Sequence, residues 1–237
     1  MNESIPILAS SDRLVAVNKP SGIAVVPAAG AAPETSLRGM LERQLGQRLW
    51  VVHRLDRPAS GVLVLATSPE SHRDLSLAFE RRLVRKTYLA FTAGAPPETA
   101  GRIDTPLHEA RRGKSRPAVP GEAGARDAAT GYTLRTSWTR DGARIALVEC
   151  HPETGRHHQI RVHLRSVGSP ILFDQLYGRG AEMPDMDLSP CQRLALHAAR
   201  LAVPAPDGSM ETFEAPLSAD LAALLHWLDG EWTPDAG

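Results

Sequence analysis

The chain alternates between short apolar runs and amphipathic stretches, with turn residues between them. Val62 to Ala66 form an unbroken apolar run, and this run follows the turn-like sequence Pro58-Ala59-Ser60-Gly61. A short apolar run bounded by turn residues predicts a strand that is buried on both faces. Asp56 would then lie in a loop just ahead of a core strand, where a rigid scaffold can hold it.

Four stretches have the apolar spacing of amphipathic helices. The first begins at Thr35 or Ser36 and ends at Gly46, and the second begins at Ser68-Pro69-Glu70. The third spans about residues 157–167, and the fourth starts near Ser218. Four residues share the predicted inner face of the second helix: Leu75, Ala78, Phe79 and Leu83.

Strand-like composition recurs along the rest of the chain. The predicted strands are residues 14–17, 23–26, 86–92, 132–138, 143–150, 194–198 and 210–213. Asp141-Gly142 is a hairpin signal between two of them. Residues 94–130 read as a surface excursion with a short hairpin, and residues 178–190 as a mobile loop. Strands dominate and crossover helices are few, which predicts an α+β fold with a mixed, mainly antiparallel sheet and flanking helices.

Composition excludes several classes of protein. With 237 residues the chain can bury a substantial core in one large domain or two small ones. No apolar stretch is long enough to cross a bilayer, and the N-terminus lacks a secretory signal. Cys150 and Cys191 are isolated, which favours buried, reduced thiols in a cytoplasmic protein.

The charge distribution is uneven although the net charge is zero. Residues 180–237 contain ten acidic and two basic side chains, whereas residues 1–179 contain 25 basic and 17 acidic ones. Basic clusters on one half of a chain favour a polyanionic partner, although each cluster alone is typical of a solvated surface. The clusters lie at 43–57, 81–86, 111–116 and 156–165.

Asp56 has two candidate partners elsewhere in the chain. Arg161 shares one face of the third predicted helix with His157 and Arg165, where a guanidinium could pair with a buried carboxylate. The alternative is a solvated basic stripe. Tyr88 follows Lys86 at strand spacing, so both side chains point to the same side, although a strand Tyr is also typical of a core.

Two other interpretations of these polar residues are a turn-capping role for Asp56 and a metal site at residues 153–158. A lone Asp before a strand is usually a turn cap. The run Glu153-Thr154-Gly155-Arg156-His157-His158 resembles no zinc pattern, so we expect no metal.

Five collinear motifs closely resemble the RluA family of RNA pseudouridine synthases. The motifs are Asn18-Lys19-Pro20-Ser21-Gly22, His53-Arg54-Leu55-Asp56 with Ser60 to Ala66, Lys86-Thr87-Tyr88, Glu153 to Leu164 and Arg193 to Ala198. The resemblance spans residues 14 to about 216 and implies the pseudouridine synthase fold. It departs from the family at Ala59, where Thr is usual, and at Leu172-Phe173, where a small residue and Gly usually precede Asp174.

The resemblance also implies the roles of individual residues. Asp56 would be the catalytic carboxylate, Arg161 its partner and Tyr88 the residue against the uracil ring. Four residues would contact the substrate: Arg54, which replaces the extruded base, and Leu196, Lys86 and His53. No cofactor or metal is expected, and whether Asp56 attacks the sugar or assists elimination stays open.

Residues 1–237 are expected to form a single catalytic domain without an S4-type RNA-binding domain. The expected substrate is a stem-loop of tRNA or large-subunit ribosomal RNA, modified by a monomeric cytoplasmic isomerase that has no contact with a membrane. Two alternatives are a catalytically silent RNA-binding or chaperone protein on the same fold and a metal-dependent hydrolase that uses the histidines.

Overall fold

The computed structural model describes residues 4–110, 113–119, 121–178 and 189–235. Within these residues the chain forms two compact units, each assembled from two separate stretches. The first unit contains Met1–Lys86 and His197–Ser218, and the second contains Thr87–Leu196 and Ala219–Gly237. That residues 1–237 act as one catalytic domain stays a prediction.

The described residues contain both helices and strands. The helices are α1 (Leu37–Leu45), α2 (Pro69–Glu80), α3 (Gln159–Ser166) and α4 (Ala219–Glu231), and a 3₁₀ turn spans Pro33–Thr35. The strands are β1 (Ile7–Ser10), β2 (Leu14–Lys19), β3 (Trp50–Val51), β4 (Ser60–Ala66), β5 (Arg85–Ala93), β6 (Ala100–Ile103), β7 (Leu107–Ala110), β8 (Lys114–Pro117), β9 (Thr130–Arg140), β10 (Ala143–Pro152), β11 (Leu196–Pro204), β12 (Met210–Glu214) and β13 (Thr233–Pro234).

Strand β4 is at the centre of the first unit. It pairs antiparallel with β2 and β3 and parallel with β11, which in turn pairs antiparallel with β12. All seven residues of β4 are buried, as the apolar run predicts. Val62 and Val64 pack in a cluster with Leu75 of α2, and full burial of such a side chain contributes about 1.5–3 kcal/mol to stability. The predicted mixed, mainly antiparallel character of the sheet is confirmed.

The predicted starts of the first two helices are confirmed by their caps. The Ser36 hydroxyl accepts a hydrogen bond from the Gly39 N–H, and the Ser68 hydroxyl accepts one from the Ser71 N–H. Gly46 ends α1 in the left-handed conformation. Leu83 does not belong to α2, because the helix ends at Glu80 and leaves this side chain exposed.

The predicted strand at residues 23–26 is wrong. These residues form a loop, and two of its carbonyl groups accept hydrogen bonds from the first N–H groups of α1. The carbonyl of Ala24 accepts from the Leu37 N–H at 2.8 Å, and the carbonyl of Val25 accepts from the Arg38 N–H at 3.2 Å. The first N–H groups of a helix have no partner within the helix, and here these two carbonyls satisfy them instead of pairing in a sheet.

The second unit contains an antiparallel sheet in the order β5–β10–β9–β13, with β6 also paired to β9. The predicted hairpin between β9 and β10 is confirmed. Its turn residues Asp141 and Gly142 both have positive φ, as a two-residue hairpin turn requires. A separate hairpin of β7 and β8 lies within the predicted excursion, and α4 buries Leu221, Leu224 and Leu228.

Two predicted boundaries in the second unit are corrected. Helix α3 starts at Gln159, so His157 precedes the helix and shares no helical face with Arg161. Strand β11 starts at Leu196, so Leu194 lies outside it. The predicted mobile loop at residues 178–190 falls almost entirely outside the described residues.

Cys150 and Cys191 are buried free thiols, as predicted. Burial raises the pKa of both thiols, so neither is activated as a nucleophile. Among the described residues, no helix has the length and apolar character needed to cross a bilayer.

Replacement of Gly61 by Ala is expected to destabilise the protein strongly. Gly61 has a φ of 113°, and an added Cβ would lie 2.2 Å from the Ala198 carbonyl oxygen on β11. Since the obstacle is backbone, we expect Gly61→Ala to lower the free energy of unfolding by about 3 kcal/mol or more, measured by urea denaturation.

Gly208→Ala is the matched control in the same unit. Gly208 also has a positive φ of 85°, but an added Cβ would meet no atom within 4 Å. The control should lose only the backbone contribution, about 1–2 kcal/mol. Equal losses in the two variants would show that close approach of β4 and β11 is not what requires Gly61.

Candidate active site

Asp56 lies in the loop between β3 and β4, as predicted. Its neighbour Leu55 is buried, Arg54 is exposed and Asp56 itself is partly buried. The Ala59 N–H donates to the Asp56 carbonyl oxygen at 3.1 Å, which closes a turn directly after the carboxylate. The loop therefore anchors one side chain in the core and leaves charged groups on either side of it near the surface.

A buried lysine holds this loop in place. Lys19, at the end of β2, is fully buried. Its ammonium donates to the carbonyl oxygens of Pro20 at 2.8 Å, Arg57 at 3.2 Å and Ala59 at 2.7 Å. A buried ammonium is strongly unfavourable without such partners, so the cation and the loop conformation require each other.

The residues after Lys19 bind the same loop. The Ser21 hydroxyl donates to the Pro58 carbonyl at 2.7 Å. Gly22 and Arg57 exchange two hydrogen bonds, from the Gly22 N–H to the Arg57 carbonyl and from Arg57 Nε back to the Gly22 carbonyl. The first and second sequence motifs are thus one structural element. This role of Lys19 is not among the predicted ones, although a lone Lys at the end of an apolar strand is its signal.

The first residue of β4 is fixed by a buried hydroxyl–imidazole pair. Ser60 Oγ and His197 Nδ1 are 2.9 Å apart, and His197 Nε2 lies 3.3 Å from the Ala215 carbonyl oxygen. The carbonyl can only accept, so Nε2 carries the proton and Nδ1 accepts from the Ser60 hydroxyl. Both side chains are fully buried, so the pair connects strands and is not exposed to a substrate.

His53 is neutral and packed against helix α2. Its ring stacks on Phe79 with centroids 4.5 Å apart, and its Nε2 accepts the Val64 N–H at 3.1 Å. Burial, and secondarily the charge of Lys86, lower the pKa of His53 to about 3. Burial and the nearby Arg82 lower the pKa of Lys86 to about 8. At neutral pH the pair therefore carries one positive charge, on Lys86.

Arg161 is buried in the second unit, with an exposed fraction of 4%. Its Nε and Nη2 donate to the two carboxylate oxygens of Asp174 at 2.7 and 2.8 Å. The alternative of a solvated basic stripe is wrong for Arg161, although Arg165 on the next turn is exposed. A bidentate pair of this kind fixes the plane of the guanidinium.

Asp174 is ionised within this pair. Burial alone would raise its pKa, but the hydrogen bonds and charge of Arg161 and the N–H groups of Leu176 and Tyr177 hold it below its usual value. The turn begins at Phe173, which has a φ of 58° where related sequences are expected to carry Gly. The departure is visible in the sequence, whereas the pairing of Asp174 with Arg161 is not among the predictions.

The remaining predicted site residues also lie in the second unit. Tyr88 is a partly buried residue of β5, and it lies opposite Cys150 on β10. Leu196 is buried at the start of β11. The first unit thus carries Asp56, Arg54, His53 and Lys86, and the second carries Tyr88, Arg161 and Leu196. That these two sets form one site stays a prediction.

The chain matches the sequence pattern of a known protein family. The sequence model described as RNA pseudouridylate synthase matches residues 13–166. The chain belongs to the RNA pseudouridylate synthase family. Its relatives are named pseudouridine synthases, which are isomerases, and the predicted resemblance is confirmed.

Similar curated proteins extend over most of the chain. The ribosomal large subunit pseudouridine synthase D of Zymomonas mobilis is 32% identical over 235 residues, which cover 94% of this chain and 73% of that protein. The dual-specificity RNA pseudouridine synthase RluA of Salmonella typhi is 36% identical over 211 residues, which cover 89% of this chain and 92% of that protein. The chain spans only 65% of the similar synthase D of Nitrosomonas europaea.

Solved structures confirm the fold. Human RNA pseudouridylate synthase domain containing 4 superposes with a TM-score of 0.78 at 28% identity, over 98% of this chain and 94% of that one. The human domain-containing protein 1 superposes with a TM-score of 0.76 at 23% identity, and this second likeness shows the fold alone.

Replacement of Lys19 by Met is expected to loosen the Asp56 loop. The three carbonyl groups that accept from the ammonium would lose their buried donor. We expect Lys19→Met to lower the free energy of unfolding by about 3 kcal/mol. Hydrogen exchange of the Ala59 amide should also become faster, because the turn that protects it is no longer held.

Lys114→Met is the matched control, since Lys114 is exposed on β8. It should change the free energy of unfolding by less than about 0.5 kcal/mol and leave the Ala59 amide as protected as in the wild type. A Lys19 variant that behaves like the Lys114 variant would mean that the loop holds its shape without the buried cation.

Proposed function

We propose that the protein isomerises uridine to pseudouridine at specific positions of a structured RNA. One observation carries the proposal: in a member of this family, Asp56 lies on a loop fixed by Lys19 ahead of a fully buried strand. A catalytic carboxylate needs such a rigid support, because small displacements cost large factors in rate.

The reaction moves a bond without any net change in atoms. The glycosidic bond between N1 of uracil and C1′ of the ribose breaks, the base rotates, and a bond between C5 and C1′ forms. The C5 proton then leaves and N1 ends with a proton. Asp56 either attacks C1′ or removes a ribose proton to give an elimination intermediate, and the proposal keeps both. No oxidant, metal or cofactor is needed for the balance.

Arg161 is proposed to hold the charge of Asp56 during this sequence. A guanidinium has five N–H donors, so the bidentate pair with Asp174 is compatible with a second carboxylate. An Arg that is fixed by one carboxylate presents its other donors in a defined plane. Tyr88 is proposed to stack on the uracil and to take up the C5 proton.

The substrate contacts are proposed from exposure and charge. Arg54 is exposed beside Asp56, so it can occupy the space of the extruded base. Extrusion of a nucleotide costs a few kcal/mol and is least unfavourable in a loop. Lys86 and Leu196 are proposed to meet the nucleotide. For His53 we propose a structural role that supports β4, since its Nε2 accepts a hydrogen bond from the Val64 N–H.

The RNA is proposed to be a stem-loop of tRNA or of large-subunit ribosomal RNA. The names of similar proteins include ribosomal large subunit and dual-specificity RNA synthases. We further propose a cytoplasmic monomer that binds the RNA backbone through its basic residues. Mapping pseudouridines in cellular RNA with and without the gene would identify the position, as a uridine that stays unmodified without it.

Asp56→Asn is expected to abolish pseudouridine formation while RNA binding persists. The amide keeps the size of the side chain but neither attacks C1′ nor removes a proton. Release of tritium from [5-³H]uridine-labelled RNA measures the reaction, and a loss of at least about four orders of magnitude is expected for a nucleophile or base.

Asp12→Asn is the matched control, because Asp12 is an exposed residue in the turn ahead of β2. It should release tritium at the wild-type rate. Full activity of the Asp56 variant would remove Asp56 from the mechanism. A wild-type protein that binds RNA and releases no tritium would favour the silent RNA-binding alternative.

Arg161→Met is expected to inactivate the protein, since it removes the charge while keeping much of the length of the side chain. Arg165→Met on the same helix is the control, because Arg165 is exposed. We expect a loss of at least about 100-fold in the single-turnover rate at saturating RNA for Arg161→Met only. Retention of the wild-type rate would show that Arg161 does not support the carboxylate.

A further inference from the structure

The turn that follows Ile171 folds one aromatic ring back over Arg161. Asp174 accepts hydrogen bonds from the Leu176 and Tyr177 N–H groups through Oδ1, at 2.9 and 3.1 Å. The Gly178 N–H donates to the Asp174 carbonyl at 2.7 Å, which closes the turn. As a result the ring of Tyr177 lies 5.1 Å from the guanidinium carbon of Arg161.

Gly178 is required for the same turn. An added Cβ at this position would lie 2.7 Å from the Asp174 carbonyl oxygen. Residues 174–178 therefore form one turn. Its carboxylate, Asp174, binds the Arg161 guanidinium through two hydrogen bonds, and its aromatic ring, Tyr177, packs over the same guanidinium. A cation over an aromatic face is held more firmly when both are buried, as both residues are here.

The hydroxyl of Tyr177 is held by two other elements. The Ser115 N–H on β8 donates to it at 2.8 Å, and His158 Nδ1 at the start of α3 lies 2.9 Å from it. The His158 ring also stacks on His157, with centroids 3.7 Å apart. The hydroxyl group thus adds a second restraint to the turn in fixing the ring over Arg161.

The hairpin of β7 and β8 has an apolar contact to the same residue. Leu107 of β7, Ala128 and Val162 of α3 form a small buried cluster with Tyr177. Ser115 is itself buried, with an exposed fraction of 3%. Tyr177 therefore contacts the hairpin of β7 and β8, helix α3 and the Arg161 guanidinium.

We propose that Tyr177 is a positioning residue of the reaction: its ring supports the Arg161 guanidinium, and its hydroxyl connects that support to the hairpin of β7 and β8. The inference rests on the proposed role of Arg161. The Ser115 N–H is the contact by which the hairpin fixes this hydroxyl, so loss of that hydrogen bond is expected to loosen the ring and with it the orientation of Arg161.

Two substitutions separate the ring from its hydroxyl. Tyr177→Phe keeps the ring and removes both hydrogen bonds, whereas Tyr177→Leu removes the ring as well. Hydrogen exchange of the Ser115 amide should become about five-fold faster in Tyr177→Phe, as expected for a lost hydrogen bond. The single-turnover rate at saturating RNA should fall about ten-fold in Tyr177→Leu and less in Tyr177→Phe.

The half-saturating RNA concentration should stay within about two-fold in Tyr177→Leu, because a positioning residue acts on the chemical step. Tyr132→Phe is the matched control, a buried tyrosine of β9 in the same unit. It should match the wild type in all three measurements. If Tyr177→Leu fails to fold, Tyr177→Met replaces it, since Met fills irregular space without supplying a ring.

The outcomes distinguish this inference from the proposed function. A wild-type rate in Tyr177→Leu, or an equal loss in Tyr177→Phe, would overturn the role of the ring while Arg161→Met stays inactive. Wild-type exchange at Ser115 in Tyr177→Phe would overturn the connection to the hairpin. If Arg161→Met is fully active, or the wild type forms no pseudouridine, the proposed function fails, and exchange at Ser115 still decides the connection.

Discussion

The buried ammonium of Lys19 is the interaction on which the proposed chemistry depends. A cation without water is tolerated only when its donors are satisfied, and here loop carbonyl groups satisfy them. The loop in turn has no helix or strand of its own to define its path. Because each requires the other, the backbone after Asp56 has one conformation, and the carboxylate belongs to a rigid frame although it lies in a loop.

Strand β4 transmits this rigidity to the rest of the first unit. It begins where the loop ends; β11 pairs with it at Ser60 and Gly61, and β2 pairs with it from Gly61 to Ala66. The Ser60–His197 hydrogen bond connects β4 with β11, and Gly61 has no side chain that would keep these two strands apart. Several polar residues of the motifs therefore have a structural role: they satisfy buried groups and fix the backbone around the Asp56 loop.

The second unit also holds a buried cation, with a carboxylate as its partner instead of backbone carbonyl groups. Arg161 is a buried cation that is satisfied by a carboxylate, and the turn after Asp174 places an aromatic ring over it. In both units a buried charge dictates the shape of an irregular segment, because irregular backbone that accepts or donates to a fixed charge loses its alternatives. A functional site on a loop depends on support of this kind, because the loop by itself is less precise than a helix or a strand.

Preferences of neighbouring residues specify most of the local elements, and the motifs identify the family. The caps at Ser36 and Ser68, the Asp141-Gly142 turn and the buried strand ahead of which Asp56 lies all follow from preferences of neighbouring residues. The partners of the buried polar groups, in contrast, depend on the folded chain. Lys19 bonds a loop about forty residues away, residues 23–26 serve a helix start instead of a strand, and Arg161 is buried against Asp174. Sequence periodicity indicates which face of a helix or strand is apolar. It does not indicate the partner of a buried charge, because that partner can lie far away in the sequence and comes close only in the folded chain.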